Sequence, residues 1–156
     1  MMTDNRFDRL AAEWDQNPAR RAISVAVFEA IRTTIVINKS MLVMDYGCGT
    51  GLLTFLLAGE AGGILAADTS DGMLEEVRKK ISAQCVKNVR AMRFDVTAGH
   101  KGIGQFDMIT SAMTMHHIDD VQAALRGLAA MLKTDGWLAV ADLCSEDGSF
   151  HTDTKV

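Results

Sequence analysis

Three acidic residues each end an apolar run of the sequence, and the first of them leads into a glycine-rich loop. Asp45 begins DYGCGTG, Asp68 ends GILAAD, and Asp95 ends VRAMRFD. A carboxylate accepts hydrogen bonds, so Asp68 suits the two hydroxyls of a ribose and Asp95 suits an adenine amino group. Either acid could instead be an ordinary cap or turn residue. Together, the three acids and the loop predict a nucleoside site with a cationic end and no phosphates.

The loop contains three glycines, Gly47, Gly49 and Gly51, which allow unusual backbone angles and a close approach by a ligand. A dinucleotide-binding loop has the spacing GxGxxG, but here the third glycine comes one residue early and Leu52 holds its place. Asp45 also lies where a pyrophosphate would be repelled and an ammonium or sulfonium group attracted. Spacing and charge therefore count against a nicotinamide-dependent oxidoreductase.

Histidine and cysteine residues could also take part in chemistry. His116 and His117 follow the fourth predicted strand, and an imidazole with an ordinary pKa of about 6.5 can act as a general base. The same histidines could instead pack against the next helix or cap it, so both interpretations stay open. Cys48 lies inside the loop, where we expect it to offer its backbone and a small volume. Cys85 and Cys144 are expected in the core.

Short apolar runs alternate with amphipathic stretches, which predicts an α/β doubly wound sheet. The predicted strands are residues 41–46, 63–68, 89–95, 106–113 and 137–143. The predicted helices are residues 4–14, a helix that starts at Pro18, residues 50–58, and two further helices with N-caps at Ser70 and Asp119. The helix after Asp119 is predicted to include Leu132 in its apolar stripe and to end at residues 133–136. Charged residues in the third strand place it at a sheet edge. Ligands of such sheets bind at the carboxyl ends of the strands, where the candidate residues lie.

The composition is that of one globular domain. The 156 residues are 48% hydrophobic and carry a net charge of −4, which does not predict binding to nucleic acid. No apolar run reaches the roughly 18 residues of a membrane span, and the N-terminus has no signal-peptide apolar region. Three Cys without a CxxC pair argue for a reducing compartment and against structural zinc. We therefore expect a cytoplasmic protein without a metal.

Four motifs make the sequence resemble class I S-adenosylmethionine-dependent methyltransferases. They are DYGCGTG, AADTSDGML (66–74), FDV (94–96) and FDMITSAMTMHHIDD (106–120), and DLCSEDGSF (142–150) adds to the resemblance. The sequence is most similar to the small-molecule branch that includes ubiquinone- and menaquinone-biosynthesis-type enzymes. This resemblance implies a Rossmann-like, mostly parallel sheet, S-adenosylmethionine as the methyl donor, S-adenosylhomocysteine as the product, and a small-molecule acceptor.

The resemblance also implies roles for individual residues. The glycine loop with Cys48 surrounds the methionine part of the cofactor, and Asp45 supports the loop and the cofactor's amino group, directly or through water. Asp68 binds the ribose, while Asp95 and the Val96 N–H read the adenine edge. The other implied contacts are Thr69 and Met73 beside the adenine, Ser111 on the floor near the methyl group, and Phe7 and Trp14 in a lid of N-terminal helices.

The sequence departs from the family after the fifth predicted strand. The family sheet has seven strands, whereas only residues 144–156 follow here. We therefore predict a C-terminally short sheet of about five strands in the order 3-2-1-4-5. One domain is expected, with residues 1–37 as lid helices, 38–143 as the cofactor-binding core and 144–156 as a tail. The apolar residues 137–141 would then form an unprotected edge, which predicts a homodimer through the fifth strand.

The sequence thus predicts methyl transfer from S-adenosylmethionine to a small-molecule acceptor. One alternative is a non-catalytic or truncated form that only binds the cofactor, and a less favoured one is the nicotinamide-dependent oxidoreductase. Methyl transfer from a sulfonium is an in-line displacement, in which alignment alone contributes about 7–11 kcal/mol. A base, for which His116 is the candidate catalytic residue, is needed only if the acceptor must lose a proton.

Overall fold

Helices and strands alternate along the part of the chain that the structure, a computed structural model, describes, which is residues 6–99 and 101–144. The strands are β1 Leu42–Tyr46, β2 Gly63–Asp68, β3 Val89–Arg93, β4 Phe106–Ala112 and β5 Leu132–Ala141. The helices are α1 Arg6–Leu10, α2 Pro18–Thr34, α3 Leu52–Ala58, α4 Asp71–Ala83 and α5 Val121–Ala130, with 3-10 helices at Ala11–Gln16, Val96–Ala98 and Met115–His117. The predicted helix start at Asp4 and the predicted tail beyond residue 144 lie outside the described residues.

The five strands form one parallel sheet in the order β3-β2-β1-β4-β5, which confirms the predicted fold class and strand order. The central strand β1 is covered on both faces, since Val43 and Met44 are completely buried. β3 forms one edge and exposes Arg93. β5 forms the other edge, where Trp137 and Val140 are 48% and 44% exposed.

Two apolar clusters cover the two faces of the sheet. The first joins α2, α3 and α4 to the sheet and includes Ile31, Leu57 and Val77. The second lies under α5 and includes Ile109 and Leu128. α2 thus packs against the sheet through this first cluster.

Two helix starts differ from the prediction. α3 begins at Leu52 and not at residue 50, because Gly51 has a φ of +88°, which lies outside the right-handed helical region. α5 is capped by Asp120, whose side chain accepts the Ala123 N–H at 2.8 Å, so the prediction of Asp119 as the cap was wrong. The side chain one residue later is the one that reaches the free N–H groups of the first turn.

Two predicted ends were also wrong. β3 ends at Arg93, so Asp95 lies in the following turn. β5 begins at Leu132, which therefore does not extend the stripe of α5, and residues 133–136 belong to the strand instead of ending the helix. The pairing of β5 with β4 shifts register here, because Phe106 pairs with Leu132 while Met108 pairs with Trp137. The intervening segment 133–136 of β5 therefore has more residues than the matching part of β4.

Cysteine positions gave another difference. Cys85 and Cys144 are exposed, so the prediction that they lie in the core was wrong. Cys85 follows α4 in a tight turn with a φ of +52°, which turns its side chain away from the core.

Within residues 6–99 and 101–144, no helix is long and apolar enough to cross a membrane. The same residues bring together no group of three His, Cys, Asp or Glu that could hold a metal ion.

Candidate functional site

The loop between β1 and α3 holds three glycines in left-handed conformations. Gly47, Gly49 and Gly51 have φ values of +70°, +55° and +88°. A Cβ placed on Gly47 would lie 2.2 Å from the Thr114 hydroxyl oxygen, and one on Gly51 would lie 2.9 Å from the Phe55 ring. Packing inside the protein therefore accounts for glycine at both of these positions, in addition to the backbone angle.

Gly49 differs because no protein atom would clash with a Cβ at this position. The nearest atoms to a Cβ placed there are Trp14 Nε1 at 3.9 Å and Met73 Sδ at 4.0 Å. The Gly49 N–H donates to Asp68 Oδ2 at 2.8 Å, which fixes the loop against the end of β2. The structure thus brings the predicted residues Gly49, Asp68 and Met73 together with the predicted lid residue Trp14.

Asp45 lies beneath this loop and is 1% exposed. Its Oδ2 accepts the Thr54 hydroxyl at 2.6 Å, and its Oδ1 accepts the Thr110 hydroxyl at 3.0 Å. Burial raises the pKa of the Asp45 carboxyl to about 6. The hydrogen bonds from Thr54 and Thr110 lower this pKa, and the negative charge of Asp68 raises it further. Burial likewise raises the pKa of Asp68. Two carboxylates under one loop give a negative potential that attracts a cation and repels a phosphate.

Asp95 and Val96 lie in the turn after β3. Asp95 is exposed, and its Oδ1 accepts the N–H of Thr97 at 2.9 Å and its hydroxyl at 2.7 Å, so the capping role that the sequence left open is present. The Val96 N–H donates to the Tyr46 hydroxyl at 3.4 Å. Tyr46 was not singled out from the sequence, although an aromatic residue directly after Asp45 at a strand end is a usable signal.

The remaining predicted site residues differ in exposure. Ser111, in β4, is 1% exposed, and its hydroxyl has no hydrogen-bond partner among the described residues, which is uncommon for a buried polar atom. Met73 is buried and Thr69 is exposed beside Asp68. Cys48 is buried, and burial raises the pKa of its thiol well above the usual value, so the thiol stays protonated. The buried Asp45, the half-buried Asp68, the uncrowded Gly49 and the Ser111 hydroxyl fit a nucleoside ligand with a cationic end.

Residues 6–16 lie over the glycine loop. Asp15 Oδ1 accepts the Thr50 hydroxyl at 2.6 Å, and its other oxygen pairs with Lys80. Lys80 also donates to the Thr50 carbonyl at 2.7 Å, so the three side chains close around the loop. The Arg20 guanidinium lies 3.6 Å from the centre of the Trp14 ring and fixes that ring next to the loop.

A second attachment of this segment is Asp8, which accepts the Ser70 hydroxyl and the Gly72 N–H. These two bonds hold the pKa of Asp8 below its usual range. We expect Asp8→Asn to weaken this attachment by about 0.5–1 kcal/mol, since the site is exposed. Amide hydrogen exchange in residues 6–16 should then be about 2–5-fold faster, with core amides unchanged.

The control for this prediction is Glu13→Gln, which removes an exposed acid of the same segment. It should leave exchange in residues 6–16 at the wild-type rate. Equal exchange rates in wild type and Asp8→Asn would show that the Asp8 bonds do not hold the segment.

At the other side of the loop, His116 lies against Asp142, the residue that follows β5. His116 Nδ1 is 2.6 Å from Asp142 Oδ1. The Leu143 N–H donates to the same oxygen at 2.8 Å, while the Thr114 and Met115 N–H groups donate to Oδ2 at 3.0 and 2.7 Å. Burial works against ionisation, but these donors and the imidazole hold the pKa of Asp142 below its usual range.

The sequence pattern did not identify Asp142 as a site residue. A signal was available, because Asp142 ends the apolar run WLAVA as Asp45 and Asp68 end the first two strands. Thr114 connects this cluster to the glycine loop, since its hydroxyl donates to the Gly47 carbonyl at 3.3 Å. The candidate base His116 therefore lies two residues after Thr114, which contacts the loop directly.

A family model of the methyltransferase domain matches residues 44–138, which run from β1 into β5 and include the whole glycine loop. The chain belongs to the methyltransferase domain family. The resemblance noted in the sequence is thereby confirmed. In this methyltransferase domain the matched region contains the three predicted acids Asp45, Asp68 and Asp95, whereas residues 6–16 precede it.

The methyltransferase domain spans about half the length of the curated relatives it matches. It is 30% identical over 121 residues to an uncharacterized methyltransferase of Schizosaccharomyces pombe, covering 73% of this chain and 43% of that protein. It is 28% identical over 137 residues to a ubiquinone biosynthesis O-methyltransferase of Coxiella burnetii, covering 85% and 58%. The fold is similar to that of a DhpI–SAH complex, with a TM-score of 0.75 at 22% identity over 90% of this chain and 67% of that one.

Proposed function

We propose that this domain binds S-adenosylmethionine and aligns its methyl group with a small-molecule acceptor for transfer. The observation that carries the proposal is the uncrowded position of Gly49, whose N–H contacts the half-buried carboxylate of Asp68, next to the buried carboxylate of Asp45. Such a site attracts a nucleoside with a cationic end and disfavours a pyrophosphate. Membership in the methyltransferase domain family and the fold shared with the DhpI–SAH complex support the same cofactor.

In this proposal each side chain keeps its present contacts and adds one to the cofactor. Asp68 accepts N–H bonds from Gly49 and Ser70, and its remaining lone pairs are available for the ribose hydroxyls. Asp45 attracts the amino group, directly or through water. The other proposed contacts are Gly47, Cys48 and Gly51 around the methionine part, Thr69, Met73, Asp95 and Val96 around the adenine, and Ser111 near the methyl group.

The bound cofactor supplies a sulfonium methyl group that is open to in-line displacement. The contribution of the protein is alignment and the exclusion of water, and alignment of two reactants is worth about 7–11 kcal/mol. Residues 6–16 suit the second task, because Trp14 and Asp15 hold this segment next to the loop. We propose that this segment is the lid of the site.

A labelling experiment tests transfer as distinct from binding. The chain is incubated with S-adenosylmethionine that carries tritium in its methyl group, together with a deproteinised extract of small metabolites. We expect label in a small-molecule product, and none with Gly49→Ala. A chain that binds S-adenosylhomocysteine but transfers no label would be the non-catalytic cofactor-binding protein that the sequence left as an alternative.

We also propose a cytoplasmic location. Cys85 and Cys144 are exposed free thiols, and such thiols persist in a reducing compartment. Recovery of the chain in the secreted or membrane fraction of its cells would contradict this location.

A homodimer through the free edge of β5 is a further part of the proposal. Lys133 and Asp135 lie at the start of this edge strand, but its residues 137–141 carry no charge and include the exposed Trp137 and Val140. An uncharged edge segment of this kind favours pairing with a second chain. We expect sedimentation at micromolar concentration to give a dimer for the wild type and a monomer for Val140→Lys. Val25→Lys, at a similarly exposed position on α2, is the control and should stay dimeric. A monomeric wild type would contradict the dimer.

A further inference from the structure

We infer that Asp15 and Lys80 form a latch that fastens residues 6–16 onto the glycine loop, and that opening of this latch sets the rates at which the cofactor enters and leaves the site. The inference rests on the proposed cofactor binding and the proposed lid, and it adds the protein bonds that control exchange of the cofactor. It starts from the three bonds that join Asp15, Lys80 and Thr50.

Lys80 joins the lid and the loop to α4 through one ammonium group. Its Nζ lies 2.5 Å from Asp15 Oδ2 and donates to the Thr50 carbonyl at 2.7 Å. The same nitrogen lies 5.8 Å from the centre of the Phe55 ring, which is also the nearest neighbour of a Cβ placed on Gly51. The ammonium group thus has a partner in the lid, a partner in the loop and an aromatic ring beside it.

The latch is shielded from water more than the neighbouring ion pair on α4. The side chains of Lys80 and Asp15 are 23% and 24% exposed, whereas Lys79, which pairs with Glu76, is 61% exposed. Asp15 Oδ1 also accepts the hydroxyl of the buried Thr50 at 2.6 Å. An exposed pair contributes little, whereas a shielded pair with a further hydrogen bond contributes more. We therefore expect the latch to hold the lid, and the Lys79–Glu76 pair serves as its matched control.

A second fixed point lies nearer the other end of the lid. Asp8 accepts the Ser70 hydroxyl and the Gly72 N–H at the start of α4, the helix that also carries Lys80. Trp14, between the two fixed points in the chain, places its Nε1 3.9 Å from a Cβ on Gly49. A lid fixed on both sides of this contact covers Gly49, so the cofactor reaches the glycine only after one fixed point is released.

The latch bonds connect protein groups only, and none of them uses an atom that we propose to contact the cofactor. Breaking the latch therefore removes no cofactor contact but makes opening of the lid easier in both directions of exchange. The rate constants for association and dissociation should rise by similar factors, and the dissociation constant should change little. Loss of a residue that holds the cofactor itself would instead speed dissociation and weaken affinity.

Amide hydrogen exchange without added cofactor tests the latch by itself. Lys80→Met keeps the apolar stem of the side chain and removes the ammonium group. We expect exchange in residues 6–16 to be about 5–10-fold faster in Lys80→Met, with core amides unchanged, and to stay at the wild-type rate in Lys79→Met. Asp15→Asn should have a similar effect, and the double variant should not exceed the single ones, because both remove the same bond. Unchanged exchange in Lys80→Met, or effects that multiply in the double variant, overturns the latch.

Stopped-flow fluorescence with S-adenosylhomocysteine tests control of exchange. The signal comes from Trp14, which is the only tryptophan in a Trp137→Phe parent. In that parent we expect Lys80→Met to raise both rate constants about 5–10-fold and to change Kd by less than about threefold, and Lys79→Met to change neither. Unchanged rate constants in Lys80→Met, or faster dissociation without faster association, overturns the inferred role. Absent binding by a folded parent would instead overturn the proposed function.

Discussion

Gly49→Ala is expected to abolish binding of S-adenosylhomocysteine while the protein stays folded. A Cβ at this position meets no protein atom closer than 3.9 Å, so it would extend into the space proposed for the ligand. We expect an affinity loss of at least about 100-fold, or about 2.8 kcal/mol, by calorimetry. The φ of +55° costs the alanine about 1–2 kcal/mol of folding stability, which a stable domain tolerates.

Two other glycines serve as controls for this variant. Gly102→Ala introduces the same type of strain, at a φ of +81°, with no atom within 4 Å of the new Cβ, and should bind normally with a similar loss of stability. Gly47→Ala should fail to fold well, because its Cβ would lie 2.2 Å from the Thr114 hydroxyl oxygen. Normal binding by a folded Gly49→Ala would remove this loop from the cofactor site.

Asp45→Asn is expected to stabilise the fold near neutral pH and to weaken cofactor binding. Burial raises the pKa of Asp45 from an ordinary 3.8 to about 6, so the folded state binds this proton more tightly than the unfolded state. Stability from this group is complete below about pH 4 and is lost as the pH rises through 6. The free energy lost is about 2–3 kcal/mol, and a neutral amide would not lose it.

The surroundings of Asp45 can accommodate the amide. The Thr110 hydroxyl oxygen lies 3.0 Å from Asp45 Oδ1 and 3.4 Å from the Met44 carbonyl. The asparagine NH2 group can therefore donate to Thr110 while the hydroxyl turns to Met44. The Thr54 hydroxyl keeps an acceptor in the asparagine oxygen.

Urea unfolding at pH 4.5 and pH 7.5 measures this effect. The free energy of unfolding of Asp45→Asn should exceed that of the wild type at pH 7.5, and the difference should shrink at pH 4.5. Asp107→Asn is the control of opposite sign, because hydrogen bonds from the Leu42 N–H and Lys133 hold the pKa of Asp107 below its usual range. Binding of S-adenosylhomocysteine by Asp45→Asn at pH 7.5 should be about tenfold weaker, since an ammonium group loses its anionic partner. Lower stability of Asp45→Asn at both pH values would contradict the pKa shift.

The strands and helices of the sheet could be predicted because the residues that begin and end each element lie next to it in the sequence. The run Gly63–Asp68 is bounded by a glycine and an acid, and β2 has those bounds. Ser70 precedes an amphipathic stretch and caps α4 through a bond to the Met73 N–H. The strand order followed from the family resemblance, and the edge positions of β3 and β5 agree with it.

The contacts between distant residues could not be predicted, because no local pattern encodes the partner. His116 meets Asp142 only because β4 and β5 are parallel neighbours that bring their carboxyl ends together. Asp15 accepts a hydrogen bond from Thr50, which is 35 residues away along the chain. An acidic residue in the sequence does not by itself show whether its side chain makes such a contact or faces solvent. Cys85 shows the same limit, since residue type suggested burial and a tight turn exposes it.

Calorimetric titration of the folded chain with S-adenosylhomocysteine, with NAD as the control ligand, tests the central claim most directly. We expect saturable binding of S-adenosylhomocysteine at one site per chain, and no binding of NAD, because the acids beneath the loop attract an ammonium group and repel a pyrophosphate. Binding of NAD alone would indicate the nicotinamide-dependent alternative. No binding of S-adenosylhomocysteine by a folded chain would contradict the proposed cofactor site.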